Sequence, residues 1–149
     1  MPSSKKHAPK VVLDTNVWVS ALLWGGKPAE VIKAAEEGKI DIFASEQTVG
    51  EINQVLAYPK IAKILQADGL LHEELIEAVL KVVKFVEVEV TKTVKVVLEH
   101  PADDKFIECA LAARADYIVS GDKHLLKVGS YKKTRIVSVA EVLQILGAM

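Results

Sequence analysis

The chain has 149 residues, 19 of them basic and 20 acidic, for a formal net charge of −1 with its histidines neutral. That length suits one domain with a substantial core, and an apolar share of 50% excludes wholesale disorder. A near-neutral total excludes a chain that holds nucleic acid by bulk charge, so any such binding needs a local basic patch or bound cations.

Residues 1–9 are polar, include Lys5, Lys6 and His7, and read as a flexible tail ahead of one domain spanning residues 10–149. Lys10 to Leu13 is an apolar strand closed by Asp14-Thr-Asn16. Trp18, Leu22 and Leu23 follow at helical spacing until Gly25-Gly26. Pro28 suits the first turn of the next helix, and Gly38 its end. Ile40 to Ala44 is a second strand, after which Ser45 is placed to cap a helix with Val49, Ile52, Val55 and Leu56 inward. Tyr58-Pro59 closes it. Residues 60–85 read as two helices parted by Asp68-Gly69. From Phe85 to Val90, three valines alternate with Glu87 and Glu89, the pattern of a strand near a sheet edge.

Asp103 and Asp104 then open a helix whose apolar face is Phe106, Ile107, Ala110, Leu111 and Ala113. Cys109, the single cysteine, excludes an internal disulfide and reads as a small buried residue of this helix. Tyr117 to Val119 is a short, fully apolar strand, broken by Ser120-Gly-Asp122, and a new helical turn begins at Lys123. A basic loop (Lys127, Lys132, Lys133), a strand from Arg135 to Val137 and a helix capped by the pair Ser138 and Glu141 complete the chain. Strands and helices alternate throughout. The expected fold is a single three-layer α/β domain, its mostly parallel central sheet of four to five strands flanked by helices. No apolar run approaches the ~18 residues of a membrane span, and the N-terminus lacks a signal-peptide core. The expectation is a cytoplasmic protein without membrane association.

Asp14, Asp104 and Asp122 all fall on one edge of the expected sheet, where open α/β sheets bind ligands. Singly, each reads as a turn or capping residue. Glu51, off the apolar face of its helix, adds a fourth acid. Clustered carboxylates suit Mg²⁺ or Mn²⁺. Zinc is disfavoured, since His7, His72, His100 and His124 show no paired spacing.

Four stretches, in order, resemble the PIN-domain nucleases, and most of all their toxin–antitoxin branch, the VapC-like toxins. They are Val12-Leu-Asp-Thr-Asn-Val17, Ser45-Glu-Gln-Thr-Val-Gly-Glu51, Asp103-Asp-Lys-Phe-Ile-Glu-Cys-Ala110 and Tyr117-Ile-Val-Ser-Gly-Asp122. The resemblance implies that Asp14, Glu51, Asp104 and Asp122 form the metal-holding and catalytic quartet, with Asn16 and Ser120 buttressing them. It departs at His124, where relatives often carry an acid. Glu108, one turn after Asp104, is a compensating ligand or a solvated helix residue.

The activity implied is Mg²⁺- or Mn²⁺-dependent hydrolysis of RNA, single-stranded or structured, by a toxin with a cognate antitoxin and a homodimeric or higher assembly. Lys123, His124, Lys127, Lys132 and Lys133 are candidate phosphate contacts, the first two nearest the acids. Trp18 and Trp24 read as core residues sooner than as base-stacking platforms. Two alternatives stand beside this. A catalytically weak or inactive PIN-fold binding or assembly module is one. The other, an aspartyl-phosphate phosphatase, needs a second Asp where this chain has Asn16.

Overall fold

A computed structural model describes residues 8–89 and 104–149. Among these residues, six strands form one sheet in the order β3-β2-β1-β4-β6-β5. They are β1 (Lys10–Leu13), β2 (Asp41–Ala44), β3 (Lys84–Phe85), β4 (Tyr117–Val119), β5 (Ser130–Tyr131) and β6 (Thr134–Val137). Every pairing is parallel except the β5–β6 hairpin. The helices are α1 (Thr15–Trp24), α2 (Gly26–Glu36), α3 (Glu46–Leu56), α4 (Pro59–Ala67), α5 (His72–Val82), α6 (Asp104–Ala113), α7 (Lys123–Val128) and α8 (Val139–Gly147).

The pleat of the central strands produces the three layers. Val11 and Leu13 of β1 face one core with Val119 and Val137, and that core is filled from α1, α2, α3, α5 and α8 by Trp18, Val31, Ile52, Leu56, Val79 and Val142. Val12, Ile118 and Ile136 point the other way, into a second core filled by Phe106, Ile107, Cys109, Ala110 and Ala113 of α6 and by Leu125 of α7. Strands buried on both faces cannot alternate apolar with polar residues, which is why Val11–Leu13 and Tyr117–Val119 read as continuous apolar runs.

Each long central strand runs straight into a cap. Asp14 caps α1 and Ser45 caps α3, the latter in a reciprocal box with Thr48. Ser138 caps α8 in a box with Glu141. Gly25 ends α1 at φ +71°, its N–H reaching the Ala21 carbonyl at 3.2 Å; only glycine takes that conformation without a Cβ penalty. Pro59 occupies the first turn of α4, as the Tyr58-Pro59 break requires.

Several expectations change. Among the described residues the sheet has six strands rather than four or five, because the basic loop after α7 folds into the β5–β6 hairpin, with Lys132 at φ +53° in its turn. The paired strand is Lys84–Phe85, so among the described residues of the alternating stretch only Phe85 lies in it, and the N–H of Val86 adds one bond to the Ala44 carbonyl at 2.9 Å. The stretch stays at the edge as expected; Val90 lies outside the described residues. Of the N-terminal tail, residues 1–7 also lie outside them, but Pro9 is already engaged, its carbonyl accepting the Asp41 N–H at 2.9 Å. Trp18 is buried, whereas Trp24 is 63% exposed. Among the described residues, no helix is long and apolar enough to cross a membrane.

Two substitutions test this account of the fold. Ile118→Ala, in the doubly covered strand β4, is expected to lower the unfolding free energy by about 2–5 kcal/mol through the cavity it leaves. Ser138→Ala, which removes an exposed cap, is expected to cost about 1 kcal/mol. Urea denaturation should show both losses with an unchanged slope.

Candidate functional site

Strand order reverses between β1 and β4: the chain moves from β1 outward to β2 and β3, then returns to β1's other side. That is the switch point of a doubly wound sheet, and the crevice past the strands' C-terminal ends opens there. The register pairs Leu13 with Val119, so the residues that follow, Asp14 and Ser120, emerge side by side. The N–H of Asp14 donates to the Val119 carbonyl at 3.1 Å.

The Asp14 carboxylate is buried and serves two elements at once. Its Oδ1 accepts the Val17 N–H at 2.9 Å, capping α1, and its Oδ2 accepts the hydroxyl of buried Ser120. The Ser120 oxygen in turn accepts the Asp122 N–H at 2.9 Å. Asp122 Oδ1 caps α7, accepting the His124 N–H at 2.7 Å and the Leu125 N–H at 3.4 Å. The positive N-terminal ends of α1 and α7 are therefore both directed at carboxylates, an arrangement favourable to negative charge.

Glu51 joins from α3. Its Oε2 accepts the hydroxyl of buried Thr15, the residue after Asp14. Its Oε1 holds the ammonium of Lys105 at 2.6 Å, and Lys105 follows Asp104 at the start of α6. Asp104 is buried and is the first residue of α6; Asp103, the other capping candidate, lies outside the described residues. A bonded path thus runs from Lys105 through Glu51 and Thr15 to the backbone of Asp14, and on through Ser120 to Asp122. Asp14, Glu51 and Asp122 are linked through intermediaries: among the described residues, no three His, Cys, Asp or Glu side chains form a ready cation site.

The remaining candidates divide. Ser120 buttresses Asp14 directly, whereas Asn16 is exposed at the start of α1. Glu108 lines a cavity of about 360 Å³ with Glu87, Glu89, Leu111, Ala112 and Lys132, none of them one of the four acids. Lys123 is exposed and His124 half-buried, both in the first turn of α7. Cys109 is buried, as expected; burial pushes its thiol up to about 11 against the lowering effect of hydrogen bonds from Ser45 and Thr48.

Two residues escaped the sequence reading, Thr15 and Lys105. Thr15 lay inside a motif and read as part of a turn. Lys105 did carry a local signal: a cation in the first turn of a helix opposes the macrodipole and calls for a partner. The identity of that partner, 54 positions away, was not legible.

The fold and this acid-bearing edge define a doubly wound α/β protein with its polar machinery at the switch point. Residues 10–124 match the PIN domain family, and the chain belongs to it. An uncharacterized protein of Methanocaldococcus jannaschii is 31% identical over 135 residues, which cover 89% of this chain and 83% of that protein. Among solved structures, a chain from the crystal structure of VapBC2 of Rickettsia felis, bound to a DNA fragment from their promoter, matches with a TM-score of 0.61. The match covers 87% of this chain and 98% of that one, and at 12% identity it is a likeness of fold.

Two measurements test the geometry. Asp14→Ala removes the α1 cap and leaves the Ser120 hydroxyl without its acceptor; the expected loss is about 2 kcal/mol. Asp14→Asn, which can still cap, should lose clearly less in the same urea titration. Cys109 is expected to resist iodoacetamide at pH 8 in the folded protein and to label fully in denaturant, as mass spectrometry would show.

Proposed function

We propose that this protein is a divalent-metal-dependent ribonuclease, the toxin of a toxin–antitoxin pair acting in the cytoplasm, with Asp14, Glu51, Asp104 and Asp122 as its catalytic, metal-holding acids. The bonded path joining Asp14, Glu51 and Asp122 at the switch point carries this reading, and membership of the PIN-domain family supports it. The fold shared with a chain of the VapBC2 complex supports a cognate antitoxin as partner. A homodimer or higher homo-oligomer belongs to the same reading.

The residues suit the metal. The donors are all carboxylate oxygens, which Mg²⁺ and Mn²⁺ prefer. Glu51 Oε1 already holds a positive charge, the Lys105 ammonium, so this edge of the molecule accommodates a cation next to its acids. What a bound Mg²⁺ or Mn²⁺ supplies is a more acidic water and neutralised charge on the scissile phosphate.

The chain's own residues do the rest. Ser120 and the Val17 N–H fix the orientation of the Asp14 carboxylate, and Thr15 fixes Glu51. Lys123 and His124, in the first turn of α7 beside Asp122, are the side chains that contact phosphates of the RNA strand in this reading. Glu108, one turn after Asp104, stays outside the four acids of this reading and lines a cavity with Glu87, Glu89 and Lys132.

The test is cleavage of single-stranded RNA with Mn²⁺ against the same reaction in chelator. Asp14→Asn and Asp104→Asn are expected to lose a hundredfold or more in rate while remaining folded, roughly 2.7 kcal/mol or more of transition-state stabilisation. Cleavage that survives either the chelator or both substitutions would overturn the proposal. An inactive wild type that still binds RNA would favour a PIN-fold binding module instead.

A further inference from the structure

Lys105 holds a position that is costly unless it is partnered. It is the second residue of α6, where the helix macrodipole presents its positive end to a positive side chain. Its four-carbon stem loses rotamer freedom when the ammonium is held in one place. Those costs are offset by Glu51 Oε1, 2.6 Å from the ammonium. The pair is sheltered, with side chains 26% and 22% exposed, so it is screened less than a surface pair. The other oxygen of Glu51 is occupied by the Thr15 hydroxyl. Glu51 therefore has both oxygens engaged, one of them by a cation that belongs to the chain.

We infer that Lys105 is the resident counter-cation of the acidic edge: its ammonium neutralises Glu51 in the metal-free protein, and a divalent cation gains Glu51 only by displacing it. Lys105 thereby sets the affinity of the site for the metal. The inference rests on the metal-dependent reading above. Its physical basis is competition between like charges for one carboxylate. A bound divalent cation and an ammonium both within contact distance of Glu51 repel each other strongly in a partly desolvated site. Removing the ammonium lifts that repulsion, leaves Glu51 unneutralised in the apo protein, and makes the carboxylate a better ligand.

The experiment is calorimetric titration of Mn²⁺ into chelator-stripped protein, using wild type, Lys105→Gln, Lys105→Arg and Asp14→Asn, with thermal melts of each in chelator and in saturating Mn²⁺. Lys105→Gln is expected to bind Mn²⁺ about tenfold more tightly than wild type. It should melt lower in chelator and gain more from saturating Mn²⁺. Lys105→Arg, which keeps the charge, should stay near wild type. Asp14→Asn should bind more weakly. Equal or weaker binding by Lys105→Gln, with Asp14→Asn impaired as expected, overturns the counter-cation role and leaves the metal site intact. A wild type that binds no Mn²⁺, or an Asp14→Asn that binds as well as wild type, overturns the metal site and this inference together. Should Lys105→Gln fail to fold, the wild type answers alone. On saturation with Mg²⁺, the Lys105 ¹³Cε resonance is expected to move as the ammonium leaves Glu51, and an unmoved resonance in the Mg²⁺-bound protein overturns the inference.

Discussion

The parallel pairing of β1 with β4 is the constraint from which the rest of this molecule follows. Its register sets Leu13 against Val119 and thereby brings Asp14 and Ser120 out of the sheet as neighbours. The hydrogen bond between them is made between residues 106 positions apart, yet it joins two local structures, the cap of α1 and the turn into α7. A shift of one residue in a strand turns every side chain to the opposite face. With Val11, Leu13 and Val12 committed to two different cores, that shift is prohibitively costly, and the placement of Asp14 is as rigid as the core beneath it.

On that base, electrostatics organises the edge. Carboxylates brought to one partly buried edge repel one another and lose hydration. Here Asp14 and Asp122 sit at the N-termini of α1 and α7, whose exposed N–H groups replace part of the lost hydration. Glu51 cannot be served that way, because it lies in the middle of α3. It is served by Thr15 and by Lys105, a lysine whose own position needs an anion. Each of the two charges makes the other tolerable, and the α3–α6 contact is pinned at the same place. A little further along the same two helices, Cys109 of α6 meets Ser45 and Thr48 of the α3 capping box, which continues the seam below the ion pair.

The structure shows Asp14 and Asp122 as helix caps, and capping leaves part of each carboxylate's acceptor capacity unused. Asp14 uses Oδ1 for the helix and turns Oδ2 toward Ser120. Asp122 spends Oδ1 on α7, and its Oδ2 takes no hydrogen bond among the described residues. A carboxylate has two oxygens and about four acceptor positions, so a structural bond at one oxygen orients the group without exhausting it.

The elements that the amino-acid sequence alone determined are those whose causes are local. Val11–Leu13 and Tyr117–Val119 are continuous apolar runs because both faces are covered; Ser45 and Ser138 announce helix starts; Asp68-Gly69 parts two helices. The site acids were legible for the same reason, since each but Glu51 stands where a strand ends or a helix begins. The tertiary structure decided what depends on distant partners. It began the edge strand one residue early, at Lys84, and ended it at Phe85, because pairing needs a neighbour and β2 ends at Ala44. It folded the basic loop into a hairpin against β6. It separated Trp18, buried under the sheet, from Trp24, exposed at the end of the same helix. It set Glu108 against a cavity with Glu87, Glu89 and Lys132, and gave Glu51 to Lys105. Pattern and capping act over a few residues and are written in the chain, whereas the partner of a charge is chosen by strand order and helix packing, which no stretch of sequence specifies by itself.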